Sequence, residues 1–285
     1  MKRQQAPSIR SRKLAAELRR LRANAGYTTT QAAKECGWPQ SRLSKMELAQ
    51  QQVKQADLTK LLDIYDVKDQ DTRRALSELV RGAGKRGWWM RYRDVLTDAL
   101  PDFEAEASAI RAYESQVIPG LLQTPTYAEA VFRGSDVHDD MEMKRHVEAR
   151  MQRQQILTKL YPPVFSAVID EAAVVRLAED TSVQIEQLRH LLHMAKKPDI
   201  GIYVLPFSAG MHAATLGSFM ILDFPAPFYA SIGYAETPTS TVWVEGDEDL
   251  RHYNAIWTSA QNAALTPAAS VRFITEAMKT MESRS

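Results

Sequence analysis

The sequence has little of what marks secreted, membrane-spanning or metal-binding chains. It has one cysteine in 285 residues, so an intramolecular disulfide and a cysteine-rich metal site are excluded. No run of apolar residues approaches the ~20 that cross a bilayer. The basic N-terminus lacks the apolar stretch that follows in a secretory signal. Glycine (12) and proline (13) are too few for a collagen-like or wholly disordered chain. We therefore expect a soluble cytoplasmic protein of about two domains.

What the sequence has is an uneven distribution of charge. Residues 1–90 hold 19 Lys and Arg against 9 Asp and Glu, whereas residues 91–285 hold 17 against 26. The formal net charge of +1 hides this contrast. Basic segments commonly bind polyanions such as nucleic acid, and an acidic body would not bind DNA by itself.

Apolar residues recur at helical spacing in five short stretches of the first 80 residues. Thr28 and Gln31 have the spacing of a capping box, and Pro39 suits the first turn of a helix. The predicted helices cover residues 11–25, 29–36, 40–49, 56–67 and 72–80. We expect a compact all-α unit over residues 10–80, preceded by a basic arm at residues 1–9.

Residues 81–87, RGAGKRG, are a glycine-spaced basic linker, and the pattern changes after them. Residues 88–285 mix helical segments with short β-rich runs bounded by Pro, Gly and Asp. The predicted helices lie at residues 104–113, 127–132, 141–159, 183–196, 249–264 and 267–281. The predicted strands lie at residues 164–169, 200–207, 218–224, 229–236 and 241–246. The fold class is therefore α+β, with a mixed sheet of about five strands.

The segment from Thr28 to Glu47, TTTQAAKECGWPQSRLSKME, carries the functional signal. Two short helices joined by a turn at Gly37 describe a helix-turn-helix. Small or apolar residues close its core, and polar residues of the second helix point outward. Glutamine can read adenine, lysine or arginine can read guanine, and Thr29 can hold a phosphate at a helix start. The core set is Ala33, Cys36, Leu43 and Met46, and the outward set is Gln40, Ser41, Arg42, Ser44 and Lys45. The alternative is a helical bundle that does not bind DNA.

Residues 10–80 resemble the Xre or lambda-repressor type of helix-turn-helix domain. The matching positions are Gly26, Thr28, Ala33, Gly37, Ser41, Ser44 and Glu47. The resemblance implies that base edges are read by Gln40, Ser41 and Lys45. It implies that the DNA backbone is contacted by Thr29, Arg42 and Ser44. Thr29 replaces the family's usual glutamine, and Leu48-Ala49 replaces its usual Asn-Gly.

The rest of the chain resembles actinomycete regulators of the WhiJ type, which join an Xre head to a conserved C-terminal domain of unknown activity. The resemblance rests on segments such as GWWMRYRDVL, RMQRQQIL, VLPFSAGMHA and GSFMILDFP. It implies a homodimeric transcriptional regulator in development, a repressor, that binds double-stranded DNA in the nucleoid. It also implies a small BldB-like protein partner and an antitoxin-like pairing.

Two further groups of residues have both a functional and an ordinary interpretation. The basic residues Arg3, Arg10, Arg12 and Lys13 can enter a minor groove or form a disordered tail. The loop from Phe207 to Gly217 can bind a partner or ligand through Ser208, Gly210 and His212, or it simply joins two strands.

No catalytic residue, metal site or cofactor is expected, and the chain is not expected to be an enzyme. Asp170-Glu171 follow a predicted strand, where catalytic carboxylates occur, but acidic residues are also usual before a helix. His190 and His193 share a helix face without a third ligand nearby in the sequence. Three hypotheses stay open: a DNA-binding regulator, the DNA-binding half of an antitoxin-like pair, and a C-terminal ligand sensor or enzyme. Co-purification of a small protein would favour the antitoxin-like pair. Thermal stabilisation of the C-terminal domain by a ligand would favour the sensor or enzyme.

Overall fold

The computed structural model describes residues 9–83, 88–96, 99–135, 137–178, 180–225, 231–237 and 239–283. The chain divides into an N-terminal unit, residues 1–91 and 98–102, and a C-terminal unit, residues 92–97 and 103–285. No described helix is long and apolar enough to cross a membrane.

Five α-helices form the N-terminal unit, as the periodicity predicted. They are α1 (Ile9–Asn24), α2 (Thr29–Glu35), α3 (Gln40–Glu47), α4 (Gln55–Ile64) and α5 (Gln70–Ala83). The predicted capping box is present, since Thr28 N donates to Gln31 Oε1 (2.9 Å) and Gln31 N donates to Thr28 Oγ1 (3.2 Å). This reciprocal pair satisfies two of the amide groups that a helix start leaves unbonded.

Leucines from all the longer helices meet in the centre of the N-terminal unit. The fully buried set includes Leu18, Leu43, Leu58, Leu61 and Leu76. Burying each such side chain contributes about 2 kcal/mol, so this small core can hold five short helices together. Cys36 is buried among them, as predicted, and burial raises the pKa of its thiol.

Seven α-helices and six strands follow in the part of the chain that the structure describes. The helices are α6 (Leu100–Glu106), α7 (Pro125–Gly134), α8 (Asp140–Gln154), α9 (Glu171–Val175), α10 (Thr181–Met194), α11 (Asp247–Ala263) and α12 (Pro267–Glu282). The strands are β1 (Ala109–Glu114), β2 (Val164–Asp170), β3 (Ile200–Leu205), β4 (Phe219–Asp223), β5 (Ile232–Glu236) and β6 (Thr241–Val244).

The six strands form one mixed sheet in the order β3-β2-β1-β4-β5-β6. The first three strands are parallel to one another, and β4, β5 and β6 follow as antiparallel neighbours. On one sheet face, Tyr113, Val168 and Ile221 pack with Trp257 of α11 in a buried cluster. The α+β class with a mixed sheet is thus confirmed.

The prediction of a helix over residues 104–113 was wrong, and a sixth strand was missed. Helix α6 ends at Glu106, and β1 begins at Ala109 in the centre of the sheet. Alanine and glutamate favour helix locally, but Ile110, Ala112 and Tyr113 are all buried between β2 and β4. Those partner strands lie more than 50 residues away, so tertiary pairing overrides local propensity here.

Candidate nucleic-acid interface

Helices α2 and α3 form the two arms of the helix-turn-helix. After α2, Trp38 N donates to the Ala33 carbonyl (2.8 Å) and Gly37 N to the Lys34 carbonyl (2.9 Å). Gly37 adopts a φ of 64°, which a side chain would disfavour. Ala33 and Cys36 face Leu43 and Met46 in the core, so α3 keeps one face for the interior and one for solvent.

The solvent face of α3 presents the residues predicted to read bases. Gln40, Ser41 and Lys45 are exposed, and Ser44 is half-buried beside them. Thr29, at the first turn of α2, is also half-buried. The structure brings all five onto the helix-turn-helix, but their contacts with DNA stay predictions.

The turn after α3 closes as a Schellman motif despite lacking the usual Asn-Gly. Gln50 N donates to the Lys45 carbonyl (2.8 Å) and Ala49 N to the Met46 carbonyl (3.1 Å). Ala49 takes a φ of 54°, where a β-carbon costs ~1 kcal/mol. The alanine therefore adopts the left-handed conformation that glycine or asparagine adopts more easily.

A buried ion pair, which sequence reasoning missed, ties α1 to the end of α3. Arg22 Nε and Nη2 donate to Glu47 Oε1 (2.7 Å) and Oε2 (3.0 Å), and Arg22 Nη1 donates to the Tyr27 carbonyl (2.7 Å). Their side chains are 13% and 5% exposed. The bond to Glu47 raises the pKa of Arg22. The only available signal was that Glu47 matches the Xre pattern, because the pairing with Arg22 spans 25 residues.

Arg42, predicted to contact the DNA backbone, makes its described contacts within the N-terminal unit. Its Nη2 donates to Asp57 Oδ1 of α4 (2.8 Å), and its guanidinium lies 4.3 Å from the centre of the Trp38 ring. This arrangement ties α3 to α4 and neutralises the charge of Arg42. A DNA contact by Arg42 stays a prediction, and it would require the guanidinium to leave or share Asp57.

Replacing Arg42 with alanine is therefore expected to act mainly on stability. We expect the free energy of unfolding of the N-terminal unit to fall by about 1 kcal/mol, because a partly exposed ion pair and a cation–π contact are lost. The slope of log affinity against log salt should change by much less than the ~0.9 of one phosphate contact. Hydrogen exchange and DNA titrations at several salt concentrations measure the two effects. Arg20→Ala, which removes an exposed pair with Glu17, is the control. A slope change near ~2, which is one phosphate contact in each copy of the expected dimer, would show that Arg42 leaves Asp57 for a phosphate.

Three of the four predicted minor-groove residues lie in a helix. Arg10, Arg12 and Lys13 lie in the first turns of α1 and are half-buried, so these three residues are not part of an extended arm. Arg3 lies outside the described residues, as do residues 84–87 of the predicted linker.

In the C-terminal unit, the loop from Phe207 to Gly217 crosses the carboxyl ends of β2 and β1. Ser208 is exposed, and Gly210 adopts a φ of 68°. His212 Nε2 lies 4.0 Å from Asp170 Oδ2, and its ring lies edge-on to Tyr113. His212 Nδ1 is buried with no hydrogen-bond partner in the described part of the chain. The structure thus brings together Asp170 and His212, which the sequence placed 42 residues apart.

Apolar side chains on this loop face solvent. Phe207, Met211 and Leu216 are 60%, 88% and 99% exposed. Exposed apolar groups of this size on one loop are unusual for a free surface and are typical of an interaction site.

A buried acidic residue, Glu104, and a half-buried one, Glu114, lie on the other side of the sheet. Both carboxylate oxygens of Glu104 accept bonds from Arg153. Burial raises the pKa of Glu114 to about 7, while Ser218 and two arginines of α8 oppose the rise. Among the described residues, no group of three His, Cys, Asp or Glu side chains has the arrangement of a metal site.

Comparison with known families gives two matches. Residues 13–76 match a family described as a helix-turn-helix domain. Residues 97–276 match the family described as a domain of unknown function, DUF5753, and this match covers more than half of the chain.

The chain belongs to the DUF5753 family.

The DUF5753 match takes in the strands, the loop from Phe207 to Gly217 and most of the helices of the C-terminal unit. The helix-turn-helix match takes in α2, α3, α4 and the exposed residues of α3, and a domain of this kind indicates DNA binding. No curated protein and no solved structure matches the chain.

Proposed function

We propose that this protein is a sequence-specific DNA-binding transcriptional regulator, a repressor that acts as a homodimer on an inverted repeat. The observation that supports this function most directly is that Gln40, Ser41 and Lys45 are exposed on the solvent face of α3. The opposite face of this helix-turn-helix is fully packed. Rigid support by the core and by the Arg22–Glu47 pair gives these side chains fixed positions for base readout.

Exposed lysines of the N-terminal unit that form no ion pair among the described residues also support DNA as the ligand. Several arginines are in ion pairs with acidic residues, as Arg42 is with Asp57. Lys34, Lys54 and Lys60 are exposed and make no ion pair among the described residues. Lysines held in solvent in this way suit salt-dependent contact with phosphates.

Selection of bound fragments from random-sequence DNA by the full-length protein tests this function. An enriched inverted repeat, with half-sites about one helical turn apart, is the expected result. Weak binding with no enriched sequence would overturn the proposal that the protein reads DNA by itself.

Lys45→Ala should weaken binding of the dimer to the selected site by at least about 30-fold, since a good bidentate base contact contributes ~1–3 kcal/mol and each copy loses one. Binding to random DNA should fall much less, because that binding depends on phosphates. Fluorescence anisotropy on both DNAs measures the difference. Lys34→Ala is the matched control, with the same charge change outside α3. Equal losses on both DNAs would exclude base reading by Lys45.

We propose for the C-terminal unit the role of a regulatory module that binds a small protein partner, BldB-like in the WhiJ-type resemblance. The exposed apolar loop with Phe207, Met211 and Leu216 favours this role, which includes the antitoxin-like alternative. Purification of the tagged full chain from its host should recover a small protein, and the variant Met211→Ser with Leu216→Ser should not. If the double variant still recovers the small protein, the partner binds outside this loop.

A further inference from the structure

We propose that two copies of this chain pair through strand β6, which joins their sheets into one twelve-stranded sheet. This inference rests on the proposed function in one respect, because a reader of an inverted repeat needs a two-fold dimer. What is new is the surface through which the two copies pair and the register of the two strands.

The two edges of the sheet differ in whether other groups already bond to the outward backbone atoms of the edge strand. At the β3 edge, Val204 N donates to Ser270 Oγ (2.9 Å), and its carbonyl accepts from Leu265 N (2.8 Å). The first turn of α12 and Leu265, two residues before that helix, thus occupy that edge. No described strand pairs with the outer side of β6, and its four residues make no other described backbone bond across that side.

The residues of β6 are not of the kinds that prevent another strand from pairing with a sheet edge. The strand reads Thr-Val-Trp-Val, with no lysine, proline or other residue that usually blocks strand addition. Val242 is 47% exposed, while Trp243 stacks on Phe103 at a ring distance of 4.4 Å. Gly233 leaves no room for a Cβ against Val244, so β5 and β6 are in close contact. The open edge is therefore part of a well-packed hairpin.

The hairpin geometry defines which groups point outward. Thr237 N bonds to the Ser240 carbonyl (2.8 Å), and Thr241 pairs with Glu236 next along the ladder. Because antiparallel pairs alternate between bonded and non-bonded, Val242 and Val244 bond to β5. The N–H and C=O groups of Thr241 and Trp243 then point away from the sheet.

Antiparallel pairing of β6 with itself uses all of these outward groups. Thr241 of each copy exchanges two bonds with Trp243 of the other, and Val242 faces its own counterpart on the two-fold axis. Such a contact is isologous and closes after two copies.

Charge selects the antiparallel direction for pairing with a second copy. Glu245 and the acidic start of α11 follow β6 directly. Parallel pairing would set each Glu245 beside its counterpart, whereas the antiparallel register separates them by about 20 Å. There each acidic end meets the uncharged turn Thr237–Ser240 of the other copy.

Sedimentation of the full chain, without DNA, tests this interface. We expect a dimer at ~10 µM and a dissociation constant at least tenfold higher for Val242→Lys, because like charges then face each other on the axis. Val271→Lys is the control, since Val271 is an exposed valine of α12. Far-UV circular dichroism checks folding. A wild-type monomer, or a Val242→Lys protein that stays dimeric, would overturn the proposal.

Cross-linking tests the register without a destabilising change. Under mild oxidation with diamide, Val242→Cys should give a disulfide-linked dimer in high yield. Thr241→Cys should not, because the two Thr241 positions lie ~8 Å apart across the axis. The wild-type protein, whose single thiol Cys36 is buried, gives the background level of cross-linking. Equal yields from both variants would exclude this register. A dimer that cross-links as expected but selects no DNA would contradict the proposed function alone.

Discussion

Raising the salt concentration from about 50 to about 200 mM is expected to weaken DNA binding by about 10³-fold. Two copies of the N-terminal unit bring six exposed lysines outside α3, counting Lys34, Lys54 and Lys60 in each. Each neutralised phosphate contributes ~0.9 to the slope of log affinity against log salt, which gives a slope of about −5. Anisotropy titrations on the selected site at five salt concentrations measure it.

Charge-matched variants show which unit provides this effect. Lys54→Ala, at the start of α4, should reduce the slope of the dimer by about 2, since one phosphate contact per copy is removed. Lys196→Ala, an exposed lysine of the C-terminal unit, should leave the slope unchanged. A wild-type slope shallower than about −2 would mean that phosphate contacts supply little of the affinity, which contradicts the proposed binding mode.

The sequence predicted the N-terminal unit well because its determinants are local. Helix spacing, the Thr28–Gln31 box and the turn at Gly37 all act within four residues, and the structure confirms each of them. The outward position of Gln40, Ser41 and Lys45 followed from the same periodicity, since the core residues Leu43 and Met46 determine the orientation of α3.

What the sequence did not predict depends on distant partners. Strand β1 reads as helix until β2 and β4 are placed beside it. The proximity of Asp170 and His212 depends on the path of the loop after β3. The Asp57 partner of Arg42 lies 15 residues away on another helix, so the sequence did not reveal this ion pair. In each case the deciding contact joins elements whose arrangement no local pattern encodes.

Replacing Glu47 with alanine is expected to lower the free energy of unfolding of the N-terminal unit by about 3 kcal/mol. The substitution leaves the Arg22 guanidinium, 13% exposed, without its carboxylate partner between α1 and α3. Native-state hydrogen exchange of the α3 amides in the full chain should accelerate by about 10²-fold, since exchange follows the local free energy of opening.

Two variants separate the loss of this pair from a general effect of removing a carboxylate. Glu17→Ala breaks the exposed pair with Arg20 and should cost less than about 1 kcal/mol. The double variant Arg22→Met with Glu47→Leu removes both charges and should recover most of the lost stability, because the cost of Glu47→Ala lies in the unpaired buried cation. If Glu47→Ala costs no more than Glu17→Ala, the Arg22–Glu47 pair does not stabilise the unit, and its role is limited to orienting α3. If the double variant is folded but no longer selects a DNA sequence, the pair is needed to position Gln40, Ser41 and Lys45 for base readout.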